Sequence, residues 1–182
     1  MIKIDSFKQY IGTISEEELL QLGTNIYMIT TSLRNDYPNY SEWFFNKQLP
    51  ETINSEKRNI LFVRNSENMV ISMACLKKDG IEQKICTLYV SAKYRGLGIG
   101  EAVVEEAIKW LGTTKPFITF ADSKLEMFKP IINKYGWNLI QIVPNFYKDG
   151  VQELCFNGTL IKNNDAILEQ AFQKDFMRVL NI

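Results

Sequence analysis

Hydrophobic residues near the N-terminus occur first at alternate positions and then at helical spacing. The alternation over residues 2–7 predicts a short first strand. Ser15 and Glu18 have the spacing of a capping box, in which each side chain bonds the backbone N–H of the other residue. Apolar residues then continue with helical period: Leu19, Leu20, Leu22, Ile26, Ile29 and Leu33. This pattern predicts a helix over about residues 16–34.

Further along the chain, three runs are rich in hydrophobic and β-branched residues, namely 59–64, 69–76 and 81–90. The connections between them, residues 65–68 and 77–80, are short and polar. Asp79-Gly80 supplies the positive φ angles that a tight hairpin requires. These features predict three antiparallel strands arranged as a meander.

The last strand of this meander leads into a glycine-rich turn and a helix. Gly96, Gly98 and Gly100 fall at alternate positions just before an apolar pattern of helical period begins. Residues 103–111 carry that pattern, and Gly112 is placed to end the helix.

A second set of elements is predicted beyond this helix. Residues 116–121 have the composition of a buried strand, which we expect to run parallel to strand 81–90 because a helix separates the two. A helical segment then extends to Tyr135, with a break or restart at Pro130 and a stop at Gly136.

Two strands and a helix are predicted for the C-terminal part. The strands, 137–147 and 151–160, pair around a turn at 148–150. Residues 163–182 place their apolar side chains on one stripe, which predicts an additional helix. That helix could cover the sheet, meet the N-terminal helix or form the face of a homodimer.

The segment 35–57 is dense in aromatic residues and is broken by turn-forming residues before the first strand of the meander. We expect Trp43 and Phe44 to lie in the core, because large aromatic side chains are usually buried. Tyr37 and Tyr40 are expected to be freer to line a cleft.

Length and charge narrow the class of protein. The 182 residues suit one domain, large enough to bury about 70% of the surface of its unfolded form. Lysine plus arginine equals aspartate plus glutamate, at 21 each, so a nucleic-acid partner is not expected. The N-terminus lacks a cleavable leader pattern and no long apolar run occurs, so we expect a cytoplasmic protein without a membrane partner.

The sequence contains no histidine, which removes histidine bases and most zinc sites, and no metal cofactor is expected. Proton transfer must therefore use carboxylate, tyrosine, cysteine, lysine or water. Cys75, Cys86 and Cys155 are widely spaced within apolar strand patterns, which indicates reduced thiols in the core.

The glycine turn has the chemistry of an anion site. Glycines leave no Cβ between the backbone N–H groups and a ligand, and the start of a helix adds further donors and a positive dipole end. Pyrophosphate fits such a turn. Gly96, Gly98 and Gly100 do not have the spacing of a dinucleotide fingerprint, and no Gly-Lys-Ser/Thr follows, which disfavours Rossmann and P-loop sites. The alternative is a structural turn without a ligand.

Arg95-Gly96-Leu97-Gly98-Ile99-Gly100 resembles the R/Q-x-x-G-x-G/A signature of the GNAT N-acetyltransferase superfamily. The resemblance is specific at this signature and extends in element order over residues 58–160 of a single GNAT-like domain, 1–182. It implies an α/β layered fold with a mixed, mostly antiparallel sheet of about 6–7 strands. Strands 4 and 5 would be parallel and splayed, with helices flanking the sheet. The cosubstrate it implies is acetyl-CoA.

The resemblance also implies which residues bind the cosubstrate. Backbone groups of Leu88, Tyr89 and Val90 would pair with the pantetheine arm. Backbone N–H groups of the signature would hold the pyrophosphate, from Arg95 and Gly96 through Leu97, Gly98 and Ile99 to Gly100. The Arg95 guanidinium either contacts a phosphate or lies in solvent. Ser123 would replace an asparagine that is common in the family.

Catalytic residues are less well marked. Glu82 is the candidate base, because it lies thirteen residues before Arg95, where some members of the superfamily carry a catalytic carboxylate. The alternative is an exposed glutamate beside Lys84. Many relatives carry a tyrosine that acts as general acid where this chain has Ile132. Tyr135, Tyr147 or water would then have to protonate the leaving thiolate, or the thiolate would leave unprotonated.

The sequence thus predicts an acyltransferase that acetylates a primary amine of a small molecule or peptide by direct attack in a ternary complex. One alternative is a catalytically silent acyl-CoA sensor or interaction module. Another is an acetyltransferase of toxin type directed at protein or tRNA, which would require a basic rim around the cleft.

Overall fold

A computed structural model describes residues 2–160 of the chain, and the helix predicted over 163–182 lies outside these residues. The chain divides into two compact units, one up to Pro116 and one from Phe117 onward. None of the helices within the described part is long and apolar enough to cross a membrane.

The first unit contains an antiparallel sheet with strands in chain order. Its members are β1 (Asp5–Ser6), β2 (Arg58–Arg64), β3 (Val70–Lys78) and β4 (Gln83–Val90). The meander predicted from the hydrophobic runs is confirmed. Gly80, with a φ of 85°, turns the chain between β3 and β4.

Helices cover both faces of this sheet. They are α1 (Glu16–Met28), α2 (Tyr40–Trp43), α3 (Leu49–Asn54) and α4 (Ile99–Leu111), with a π-helical turn (Phe44–Gln48) and 3-10 turns (Phe7–Tyr10, Thr31–Asn35, Ala92–Tyr94). The N-terminal helices pack with Phe62 and Met73 on one face. On the other face, α4 packs on β3 and β4 and buries Val103, Val104 and Ala107.

The first helix begins as predicted but ends early. Both bonds of the capping box between Ser15 and Glu18 are present. The helix stops at Met28 rather than near residue 34, so the predicted end is wrong. The Thr30 hydroxyl donates to the carbonyl oxygen of Tyr27 over 2.6 Å, and such local bonds compete with the helical pattern. The backbone continues as a 3-10 turn.

The second unit contains β5 (Phe117–Ala121), α5 (Leu125–Tyr135), β6 (Leu139–Pro144) and β7 (Gln152–Phe156). Strand β7 pairs antiparallel with both β5 and β6. The Phe128 ring of α5 stacks on Phe120 of β5 with centroids 4.1 Å apart. The predicted break at Pro130 is wrong, because α5 runs through this residue and loses only the bond that the missing N–H would make.

Candidate functional site

The predicted glycine turn connects β4 to α4. After Val90 the chain forms the short 3-10 turn Ala92–Tyr94 and then passes through Gly96 and Gly98. Both glycines have a φ of 75°, in the left-handed region where side chains are strained. Apart from the glycine itself and its two chain neighbours, no heavy atom lies within 4 Å of the position that a Cβ would occupy at either residue, so the turn presents open backbone.

Backbone N–H groups converge where α4 begins. Gly98 is the N-cap residue of the helix, and its carbonyl oxygen accepts the N–H of Ala102 over 3.0 Å. The N–H groups of Ile99 and Gly100 come before this first intrahelical bond, and they share the positive end of the helix dipole. An anion at the turn would meet these donors without steric obstruction.

Arg95, the first residue of the signature, is turned back toward the strand. Its Nε donates to the carbonyl oxygen of Val90 over 3.0 Å. The guanidinium carbon lies 5.9 Å from the ring centroid of Tyr89, and the residue is exposed. The sequence left open whether this side chain contacts a phosphate or lies in solvent; in the structure it is exposed and bonded to the backbone at Val90.

The last residues of β4, predicted to bind the pantetheine arm, pair with β3. Leu88 lies opposite Ala74 and Val90 lies opposite Ser72. The Ser72 hydroxyl donates to the carbonyl oxygen of Tyr89 over 2.8 Å. Leu88, Tyr89 and Val90 are only partly buried, so surface remains at this end of the strand.

A β-bulge at Cys86 interrupts the pairing in the middle of β4. Thr87 lies opposite Cys75 and Ile85 lies opposite Leu76, so Cys86 is an extra residue on its strand. Bulges bend a strand and occur frequently beside functional sites. Sequence analysis missed this one, because no glycine or other local signal marks it.

Glu82 lies just before β4, and Lys77 holds its carboxylate. The Lys77 ammonium contacts Glu82 Oε2 at 2.9 Å and Asp79 Oδ2 at 2.7 Å. The Glu82 side chain is 27% exposed. The alternative given for Glu82 from the sequence was an exposed glutamate beside Lys84. In the structure its ion-pair partner is Lys77 of the preceding strand.

Asp79 organises the turn that carries Glu82. Its Oδ1 accepts the backbone N–H groups of Ile81 at 3.1 Å and Glu82 at 3.0 Å. The hydrogen bond from Lys77, together with these backbone bonds, lowers the pKa of Asp79 to about 2. Asp79 therefore stays ionised at neutral pH and acts as a structural anchor for the turn.

Cys86 is a free and partly buried thiol. Burial raises its pKa, the charges of Lys84 and Arg58 lower it, and the Glu82 carboxylate raises it again, with a net rise. The thiol is therefore protonated at neutral pH, which disfavours a role as nucleophile.

Arg58 at the start of β2 is a buried charge that sequence analysis did not single out. Only 4% of its side chain is exposed. Nε donates to Glu51 over 2.5 Å, Nη1 donates to Gln48 Oε1 over 2.9 Å, and Nη1 also lies 3.8 Å from Cys86 Sγ. The signal that could have found it is an arginine at the first position of a hydrophobic strand.

The aromatic segment differs from its prediction at Tyr40. Phe44 is fully buried, as expected, whereas Trp43 and Tyr37 are partly buried. Tyr40 is 6% exposed and stacks with Tyr27, so the expectation that it lines a cleft is wrong. This correction follows from helix formation over 40–54, which turns Tyr40 toward the core.

The two stacked tyrosines bury their hydroxyl groups. The Tyr27 hydroxyl has no hydrogen-bond partner within the described residues, and the Tyr40 hydroxyl, although Thr30 and Thr87 lie near it, makes no well-formed hydrogen bond there. Burial is the main cause that raises the pKa of Tyr40, so its hydroxyl stays protonated. A protonated hydroxyl that makes no hydrogen bond carries a free-energy penalty.

Residues 26–119 match the acetyltransferase (GNAT) family. The matched region contains β2, β3, β4, the glycine turn and α4. The chain belongs to the GNAT acetyltransferase family. The GNAT fold expected from the sequence is confirmed by this membership together with the similarity to solved structures of the family.

Solved GNAT structures resemble the chain at low sequence identity. Aminoglycoside 6'-N-acetyltransferase complexed with coenzyme A is 15% identical, with a TM-score of 0.60 over 90% of this chain and 100% of that one. The ribosomal-protein-S18-alanine N-acetyltransferase from Escherichia coli is 14% identical, with a TM-score of 0.58 over 90% and 98%. Nourseothricin acetyltransferase is 15% identical, with a TM-score of 0.50. The match covers 55% of this chain and 64% of that one, so the chain spans about two thirds of the length of this relative. No curated protein sequence matches the chain significantly.

The GNAT positions in the second unit depart from the family pattern. Ser123 lies in the 3-10 turn Asp122–Lys124 after β5, and its N–H donates to Asp122 Oδ1 over 2.8 Å. Ile132, at the position where many relatives carry a tyrosine as general acid, is 3% exposed. The roles predicted for Ser123 and for a replacement acid stay predictions. Within residues 2–160, no cluster of three or more acidic or cysteine side chains could hold a metal ion.

Proposed function

We propose that this protein transfers the acetyl group of acetyl-CoA to a primary amine of a small molecule or peptide. The observation that carries the proposal is the open turn at Gly96 and Gly98, where backbone donors meet the start of α4. Membership of the GNAT family supplies the class of reaction.

In this proposal the cosubstrate lies along β4 and the turn that follows it. The pyrophosphate binds backbone N–H groups of the signature, residues 95–100. The pantetheine arm pairs with the backbone of Leu88, Tyr89 and Val90, as an added strand would. Ser123 contributes a further hydrogen bond. The aminoglycoside 6'-N-acetyltransferase structure, which contains coenzyme A, supports a CoA ligand for this fold.

The proposed transfer is direct. The neutral amine attacks the thioester carbonyl, a C–N bond forms, and the C–S bond breaks to release the CoA thiolate. Alignment of the two bound reactants supplies much of the rate. Glu82 is the proposed acceptor of the amine proton, and Lys77 orients its carboxylate through the 2.9 Å contact at Oε2. Water or a nearby tyrosine returns a proton to the thiolate.

A second candidate is an acyl-CoA sensor without catalytic activity. The observation that favours it is Ile132, because an isoleucine cannot donate the proton that the usual tyrosine supplies. A third candidate is an acetyltransferase whose acceptor amine belongs to a protein. The ribosomal-protein acetyltransferase of similar fold supports it.

Release of CoA from acetyl-CoA, with and without candidate amines, separates these functions. The proposal predicts release that the amine stimulates, together with a product heavier by one acetyl group. Glu82→Gln should lower kcat by about 10²- to 10⁴-fold, as expected for loss of a positioned base. The matched control is Glu105→Gln on the exposed face of α4, which should retain the wild-type rate.

CoA binding without stimulated release by any amine or peptide would favour the sensor.

The three free cysteines are consistent with the reducing cytoplasm, where we expect the reaction to take place.

A further inference from the structure

A cavity of about 430 Å³ opens beside Arg58 in the first unit. The end of β3, the start of β2 and the helical segment before β2 form its walls. Its charged lining consists of four basic side chains, Lys47, Lys57, Arg58 and Lys77, and two acidic ones, Glu51 and Asp79. The cavity therefore carries a positive surplus in a protein with no net charge.

Two of the cations have no acidic partner. Arg58 is paired with Glu51, and Lys77 is paired with both Asp79 and Glu82. Lys47 and Lys57 are exposed, and across residues 2–160 no carboxylate forms an ion pair with either ammonium. With the Glu82 carboxylate on Lys77 included, four cations face three carboxylates, and the remaining positive charge comes from these two ammonium groups.

Arg58 contributes a buried guanidinium with an unused donor. The Arg58 side chain is 4% exposed whereas Glu51 is 44% exposed, so most of the desolvation falls on the cation. Its Nε and Nη1 groups are engaged, and Nη2 makes no hydrogen bond with any other described residue. The Nη2 group of this guanidinium is therefore left to donate to an oxygen of an anionic group.

The cavity adjoins the part of β4 that takes part in the proposed reaction. Arg58 Nη1 lies 3.8 Å from Cys86 Sγ, and Cys86 precedes Leu88 by two residues, or about 7 Å of extended strand. On its other wall, Lys77 contacts the Glu82 carboxylate at 2.9 Å. One wall thus approaches the proposed pantetheine strand and the other approaches the proposed base.

We propose that this cavity is the acceptor site and that it selects amines carrying a carboxylate or phosphate group. The inference rests on the proposed function, since an acceptor site requires the acetyl transfer. The anionic group binds among Arg58, Lys47 and Lys57, and the amine extends toward Glu82 and the thioester. The class of acceptor is therefore an anionic amine rather than a polycationic one.

Paired amines that differ only in the anionic group test the inference. The first pair is 6-aminohexanoate and 6-aminohexanamide, and the second is O-phosphoethanolamine and ethanolamine. Binding to the CoA-saturated protein is measured by calorimetry, and kcat/KM by release of CoA. We expect the anionic member of at least one pair to bind ~10-fold or more tightly, as charge-assisted hydrogen bonds predict.

The double variant Lys47→Gln, Lys57→Gln should reduce this preference at least ~3-fold, because it removes the two unpaired cations from the cavity. Both residues are exposed, so the variant is expected to fold, and its melting curve checks this. Lys109→Gln on α4 is the matched control, since it removes an exposed lysine remote in sequence from the cavity, and the preference should stay as in the wild type.

The outcomes separate this inference from the function on which it rests. Failure of the wild type to bind CoA would overturn the proposed acetyl transfer. CoA binding with equal affinity for the members of each pair, or with no affinity for the anionic member, would overturn the acceptor class alone. A preference that is unchanged in the double lysine variant would also contradict it.

Discussion

The Arg95 side chain donates through Nε to the carbonyl oxygen of Val90 over 3.0 Å. This bond joins the first residue of the GNAT signature to the last residue of β4. It closes the backbone segment that leads to the two left-handed glycines of the turn. We therefore expect Arg95 to stabilise the backbone of the turn through this bond.

Substitution of Arg95 separates a geometric role from a charge role. Arg95→Gln keeps an N–H donor for the Val90 carbonyl, so CoA affinity should change less than about 2-fold. Arg95→Ala removes the bond and should weaken CoA binding about 5-fold, the effect of one hydrogen bond. Calorimetric titration with CoA measures both. Equal and large losses in the two variants would instead indicate a charge contact with phosphate.

The buried hydroxyl of Tyr40 gives a stability prediction. Tyr40→Phe removes a buried hydroxyl that makes no well-formed hydrogen bond, although Thr30 and Thr87 lie near it, so the free energy of unfolding should rise by about 1 kcal/mol. Tyr10→Phe is the control, because the Tyr10 hydroxyl accepts Arg64 Nη1 over 3.0 Å, and it should destabilise by about 1 kcal/mol. Urea unfolding measures both. A loss of stability in Tyr40→Phe would show that its hydroxyl is bonded.

The fold could be predicted where local patterns determine the elements. Hydrophobic runs joined by short polar turns predicted the meander, and the left-handed residue Gly112 ends α4 as expected. Predictions failed where a side-chain bond or a neighbour competes with the pattern. Thr30 ends α1 early through its bond to Tyr27, and Tyr40 is drawn into the core by the helices around it.

Cys86 provides a test of direct transfer. Its thiol is protonated at neutral pH and no histidine exists to activate it, so Cys86→Ala should change kcat less than about threefold, since no covalent nucleophile is lost. Steady-state kinetics measures kcat. Mass spectrometry of the wild type mixed with acetyl-CoA should detect no acetylated enzyme. An acetyl-thiol adduct at Cys86 together with loss of turnover would contradict the direct mechanism.

Asp79 should make stability depend on pH in the acid range. Its pKa is about 2 in the folded chain against 3.8 as its ordinary value, so the stability that it contributes is present above about pH 4 and is lost as pH falls toward 2. Asp79→Asn should therefore destabilise at pH 7, and its difference from the wild type should shrink between pH 4 and pH 2.

Urea unfolding at several pH values measures this dependence. Asp149→Asn, in an exposed loop, is the control and should follow the wild type at every pH. A constant difference between Asp79→Asn and the wild type down to pH 2 would contradict the role of the Lys77 bond.

The site was predictable only in part. The glycine spacing predicted the turn, because the left-handed backbone at Gly96 and Gly98 requires glycine and so can be read from the sequence. The bulge at Cys86 left none, because it depends on how β4 pairs with β3. The buried guanidinium of Arg58 left only a weak one, an arginine at the first position of a hydrophobic strand. Arg58 is held by Glu51 and Gln48 across a helix and a strand, and no local spacing reports such contacts.

Calorimetric titration of acetyl-CoA into three glycine variants tests the assignment of the cosubstrate site. Gly98→Ala adds a Cβ to the open turn, at a backbone cost of about 1 kcal/mol. Gly12→Ala is matched to it, with a φ of 77° and equally open surroundings in another loop. Gly100→Ala has ordinary φ, and its Cβ would lie 3.5 Å from Val90 Cγ2, so it should fold and bind as the G/A position of the signature allows.

We expect similar losses of stability for Gly98→Ala and Gly12→Ala. Acetyl-CoA affinity should fall at least ~10-fold only in Gly98→Ala, because only there does a Cβ enter the proposed pyrophosphate site. Wild-type affinity in Gly98→Ala, or no binding of acetyl-CoA by the wild type, would contradict the assignment of this turn as the cosubstrate site.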